Sequence, residues 1–82
     1  MSYEAVRDVL LREWDPIDIR DQEAARDEYD TYARRLHTLL ASGSSASVIE
    51  TYLIETEADR MGLAPDRERA RRVAEILLRH AA

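Results

Sequence analysis

The sequence predicts an all-α fold, a compact four-helix single domain. Three observations carry that reading. Apolar residues recur at spacings of three and four along most of the chain, no stretch alternates with the period of two that marks a half-buried strand, and start and stop signals cut the periodic pattern into four. At 82 residues the chain makes one domain spanning 1–82, with helices expected near 3–14, 23–41, 46–61 and 65–80. A chain this short buries only a little over ~60% of its unfolded surface, so its core is small. An apolar fraction of 45% beside a charged fraction of 35% suits amphipathic helices with heavily charged outer faces.

In the first helix Tyr3, Val6, Leu10 and Trp14 fall on one face, and Val9 widens the stripe. Ser2 is the expected N-cap, and Pro16 disfavours helical geometry at Asp15, so the helix stops near Trp14. A connection follows over residues 15 to 22, with Ile17 and Ile19 anchoring it to the core. The second helix starts around Glu23 and runs to about Ala41, turning Tyr29, Tyr32, Ala33, Leu36, Leu39 and Leu40 inward. Asp27, Asp30, Arg34 and His37 take its outer face, with Asp30 and Arg34 at the favourable i,i+4 spacing, acid first. Gly43 suits the left-handed position after a helix end. The run SGSSAS (42–47) reads as a helix-to-helix turn, in which Ser45 or Ser47 caps the third helix and Ser47 has capping-box spacing to Glu50.

That third helix runs to about Met61 with Ile49, Tyr52, Leu53 and Thr56 or Glu57 on its inner side. Gly62 and Leu63 read as a Schellman stop with the leucine folded back on the last turn. Pro65 is placed in the first turn of the fourth helix, where its missing N–H costs nothing. Ala70, Val73, Ala74, Leu77 and Leu78 form the inner stripe there, and Glu68–Arg72, Arg71–Glu75 and Glu75–Arg79 pair along the outside.

Composition excludes several classes of function. A formal charge of −5 argues against nucleic acid as a partner, since such binding needs a cationic surface to displace counterions. With no cysteine there is no thiolate zinc site and no cysteine nucleophile. All twelve cations are Arg, which removes Schiff-base lysine chemistry; the absence of Lys, Asn and Phe suggests a genome rich in G and C. No apolar run approaches the ~20 residues a membrane span needs, and the N-terminus does not read as a secretion signal. A cytoplasmic protein with no membrane partner is expected.

The densest feature is EWDPIDIRDQEAARDEYDTY (13–32), where eight of twenty positions are acidic and only two are Arg. Residues 1–32 carry ten acids against four Arg, whereas residues 33–82 carry seven acids against eight Arg. One reading is a helix joint, with Glu23, Asp27 and Glu28 favouring the positive end of a helix dipole. The other is a binding surface built from Trp14, Asp15, Pro16, Asp27, Tyr29, Asp30 and Tyr32, since aromatic side chains carry much of the energy of protein interfaces and an acidic rim attracts a cationic partner. Asp15, Asp18 and Asp21 lack the glycine and distal glutamate of a calcium loop. His37 and His80 stand singly, each expected at or near the surface. No metal, no cofactor and no catalytic residue is expected. The serines lack the Asp-Ser-Leu context of an acyl carrier protein, which the chain resembles only in size and charge. The third helix is too acidic for a helix-turn-helix DNA reader.

The stretches LLREWDPIDI (10–19), DEYDTY (27–32), LLASG (39–43), YLIETE (52–57) and MGL (61–63) resemble the YugE-like family of small bacterial proteins, classed as a domain of unknown function. The resemblance runs from about Tyr3 to Leu63 and implies a compact all-helical fold; it implies no activity. The chain departs from the family pattern at Asp18, where members tend to have Gly, and near Ala33, where they often have Pro. The expected function is a small non-enzymatic protein-interaction module with an acidic face on the first two helices. The alternative is an inhibitor or immunity-type partner of a basic enzyme or toxin. The acidic front and basic tail also predict a homodimer.

Overall fold

A computed structural model describes residues 1–16 and 24–81, the side chains of 24–26 excepted. Among the described residues the fold comprises four α-helices and no strand. They are α1 (Tyr3–Val9), α2 (Ala24–Ala41), α3 (Ala46–Glu55) and α4 (Arg67–Ala81). Two of them are prolonged by π-helical turns, α1 by Leu10–Trp14 and α3 by Thr56–Arg60. The helices pack as two hairpins, α1 on α2 and α3 on α4, and α4 then lies against the π turn that ends α1. The expected positions of Ile17, Ile19 and Glu23, and of Asp18 and Asp21, lie outside the described residues.

The inner stripes meet largely where the periodicity puts them, although Tyr3 and Leu78 are only half-buried outside the core cluster and Ile76 packs against it instead. Val6, Val9 and Leu10 from the first helix face Tyr29, Tyr32, Ala33 and Leu36 from α2; Ile49 and Leu53 face Ala70, Val73, Ala74 and Leu77. All of these are buried and form one cluster. Leu39, Leu40 and Tyr52 are half-buried at its edge, packed against the cluster rather than within it.

Local signals account for most of the ends. The Ser2 hydroxyl accepts from the Ala5 N–H at 3.2 Å, and Ser45, of the two serines weighed, caps α3 through the Val48 N–H at 3.4 Å. After α2 the Gly43 N–H donates to the Leu40 carbonyl and the Ser44 N–H to the Leu39 carbonyl, both at 3.1 Å, which is the full Schellman pattern. Gly43 sits at φ 78° and Gly62 at φ 66°, the left-handed region that glycine enters without penalty.

Three expectations need correction. First, α1 and α3 do not end as regular α-helices. The Asp15 N–H reaches the Leu10 carbonyl at 2.8 Å and the Met61 N–H the Thr56 carbonyl at 3.2 Å, five residues back in each case. In the second π turn the Thr56 hydroxyl also bonds the Tyr52 carbonyl at 2.7 Å, and such back-bonding competes with the regular ladder. The widened turn shifts the stop at Gly62 as well: the Leu63 N–H bonds the Glu57 carbonyl, six residues back, and Leu63 stays exposed instead of folding onto the helix. Second, α4 begins two residues later than expected. Asp66 is its cap, accepting from the Arg69 N–H at 3.0 Å, and Pro65 precedes the cap. Third, Asp30 and Arg34 do not pair along α2. Each turns to α1, Asp30 to the Arg7 guanidinium at 3.1 Å and Arg34 to the Tyr3 hydroxyl at 3.1 Å, with its guanidinium 4.1 Å from the Tyr3 ring centre. Likewise Arg71 reaches across to Glu50 of α3, at 3.9 Å.

Gly43 tests how much the α2 stop contributes. A Cβ there meets nothing within 4 Å, so Gly43→Ala is penalised through the backbone alone. The expected loss is about 1–2 kcal/mol, read as a lower urea midpoint with unchanged slope, and Gly43→Asn loses less because Asn tolerates the left-handed region.

Candidate functional site

Of the seven predicted surface residues, the three aromatic ones face inward. Trp14, Tyr29 and Tyr32 are 2%, 0% and 5% exposed, so their rings belong to the core. They form a mutual cluster, with ring centres 5.6 Å apart for Trp14–Tyr29, 6.1 Å for Trp14–Tyr32 and 6.0 Å for Tyr29–Tyr32. The Trp14–Tyr32 pair is edge-to-face, which suits the opposed charge of ring face and ring edge. The Tyr29 hydroxyl donates to Asp15 at 2.8 Å and the Tyr32 hydroxyl to Glu28 at 3.2 Å, so two phenols carry the cluster outward to acidic residues. Asp15 adopts φ 26°, the one positive φ outside glycine among the described residues. Pro16 bars the right-handed helical region there, and Asp is among the residues that enter the left-handed side most readily.

At the centre lies a group that charge patterning alone does not single out. Glu57 is fully buried in the second π turn. Its Oε1 accepts from the Trp14 indole N–H at 2.7 Å and from an Arg69 guanidinium nitrogen at 3.4 Å; its Oε2 accepts from the Asp66 backbone N–H at 2.9 Å. Asp66 is the cap of α4. In a capping box, the residue three after the cap reaches back to the cap's own N–H. Arg69 occupies that position here and has no acceptor to offer, so Glu57 supplies the missing half from another helix. The carboxylate thereby joins the end of the first helix, the end of the third and the start of the fourth. Spacing did place Glu57 at the inner edge of its helix, four residues beyond Leu53, and an acid at an inner position was the signal available.

On the surface, Asp27 and Glu28 are exposed beside an open concavity of about 360 Å³, which Thr31, Tyr32 and Arg60 also line. Asp15, Pro16 and Asp30 are half-buried. His37 is half-buried and His80 exposed. No three metal-ligating side chains gather among the described residues, and no helix among them is long and apolar enough to cross a membrane. Burial, and then the Glu28 carboxylate, raises the Tyr32 pKa above its ordinary value; burial does the same for Tyr52. The Asp30 hydrogen bond raises that of Arg7.

The Glu57 network can be tested by substitution. Glu57→Leu leaves the Trp14 and Asp66 N–H groups and the Arg69 guanidinium without their acceptor, and is expected to cost about 3–5 kcal/mol. That is a large share of the stability of a domain this small. Trp14→Phe keeps a ring and removes one donor, and is expected to cost about 1–3 kcal/mol. Urea titration followed by circular dichroism orders the two; equal and negligible losses would show that the carboxylate contributes nothing. The raised phenols predict alkaline sensitivity. The unfolded chain gives up its tyrosine protons near about pH 10, whereas the folded chain holds those of Tyr32 and Tyr52 to higher pH. Their contribution is therefore complete below that pH and is lost as pH rises through the folded values. The urea midpoint should fall above about pH 10, and Tyr32→Phe should remove part of the late tyrosinate absorbance.

Compared with known proteins, the chain matches no family model, no curated protein and no solved structure.

Proposed function

We propose that the protein is a small non-enzymatic interaction module that offers the acidic outer face of α2 to a cationic partner protein. One observation carries this reading: Asp15 and Asp30 are half-buried and tied to Tyr29 and Arg7, whereas Asp27 and Glu28, the latter accepting from the Tyr32 hydroxyl, stand exposed at the open concavity. Carboxylates on a rim keep their hydration until a partner arrives and raise its rate of encounter through long-range attraction. A net charge of −5 acts in the same direction. Kinship with the YugE-like proteins, proposed from the WDP, DEYDTY and MGL stretches, fits an internal role for the signature rings and leaves Asp27 as the exposed signature acid.

The test is capture from an extract of the native cell with wild-type protein and with Asp27→Arg/Glu28→Arg as baits, followed by titration of the purified partner at rising salt. Neither position belongs to the buried core, so the double variant should keep its helical spectrum. The expected result is a partner that the variant loses and whose affinity for wild type falls as salt screens the contact. A partner held equally by both proteins, or indifferent to salt, overturns the reading.

A further inference from the structure

We infer that the seam between α2 and α3 is a docking groove for a cationic amphipathic helix of the partner; the inference rests on the acidic-module reading and names the partner's form. The two hairpins join through α4, and α2 and α3 do not pack closely on each other. Three hollows lie along the interval they leave. The first, beside Asp27 and Glu28, includes Arg60. The second, of about 210 Å³ at the end of the third helix, shares Arg60 with the first and shares Tyr52 and Glu55 with the third. The third, of about 270 Å³, lies between Arg35 and Leu39 of α2 and Val48 and Tyr52 of α3. From Asp27 to Leu39 the groove spans about 18 Å, the rise of a little over three helical turns.

Its chemistry changes along its length. At one end stand carboxylates; at the other, Val48 is 45% exposed and sits beside the half-buried Leu39 and Tyr52. Lining the three hollows are four acids, Asp27, Glu28, Glu55 and Asp59, against two cations, Arg35 and Arg60. An occupant complementary to this surface carries apolar anchors near one end and Arg or Lys near the other, all on one face. A helix meets that pattern with residues at i, i+4 and i+7. A second copy of this chain fits less well, because each copy carries −5 and the groove itself is net negative.

The probe is a synthetic peptide of about 14 residues with two Leu one turn apart near one end and two Arg one turn apart near the other. Amide shifts in the labelled protein should concentrate along the seam, from Asp27 to Leu39 and from Ser47 to Arg60. Val48→Glu should weaken binding about tenfold, by removing an apolar contact worth about one decade of affinity. A scrambled peptide of the same composition should leave the seam unshifted. The inference is overturned if the shifts are absent or lie elsewhere, if the scrambled peptide binds equally, or if sedimentation shows the free chain closing its own seam as a dimer that Val48→Glu separates. Val48→Glu used as a third bait in the extract distinguishes the two proposals. Loss of the partner with Asp27→Arg/Glu28→Arg but not with Val48→Glu removes the groove and leaves the acidic module; loss with neither removes both.

Discussion

The fold depends on one buried carboxylate. Glu57 is fully buried, and a charge so placed is tolerable only while its oxygens are occupied by donors. Its donors come from three places: an indole at the end of the first helix, a backbone N–H at the start of the fourth, and a guanidinium one turn into that helix. They converge only in one relative placement of the two hairpins. Apolar stripes can slide past each other by a turn with modest loss, whereas a slide here would strand a carboxylate, an indole N–H and a helix cap together. The interaction therefore specifies register more than it adds stability, since an apolar residue of the same shape with redesigned neighbours can be equally stable.

The two π turns belong to the same constraint. Each takes one more residue than a regular turn, and each contains a member of the Glu57 network, Trp14 in the first and Glu57 in the second. The first carries Trp14 at its last position, followed by Asp15 with its positive φ and its bond from the Tyr29 hydroxyl. Widening a turn forgoes good hydrogen-bond geometry, and the strain at Asp15 adds to the cost. Both are offset where they occur: the Trp14 ring packs against two tyrosines, and its N–H meets the carboxylate at 2.7 Å.

How much of this was legible in the sequence follows from range. Stripes and stops depend on residues within one or two turns of each other, so the four helices, the cap at Ser2 and the left-handed glycines at 43 and 62 could be read directly, and the cap of α3 was narrowed to Ser45 or Ser47. Pairing across helices could not. Asp30 and Arg34 satisfy the i,i+4 rule and still turn to Arg7 and Tyr3, because a neighbouring helix lies within reach of both. The aromatic and acidic stretch posed the same problem. Trp14, Tyr29 and Tyr32 satisfied both a core stripe and an interface composition, and only their placement against one another decides for burial. Asp66 went unrecognised as a cap because Pro65 offered a plausible helix start one residue earlier. In the π turns there is no strong local signature at all; Thr56 bonding back to Tyr52 is visible only once the helix exists.

A division of labour among the acids follows. Glu57 and Asp66 hold the helix ends, and Asp15 and Asp30 hold α2 against the first helix, so substituting any of them disturbs packing before it can report on binding. Asp27 and Glu28 are exposed and line a hollow with Arg60 of the third helix's π turn, beside a seam that the hairpins leave open. Substitution along that seam alters charge and shape with little effect on the Glu57 network, because none of its donors comes from α2 and none lines the three hollows. In an 82-residue domain with a single small core, such independence is the physical condition for changing a surface without losing the fold.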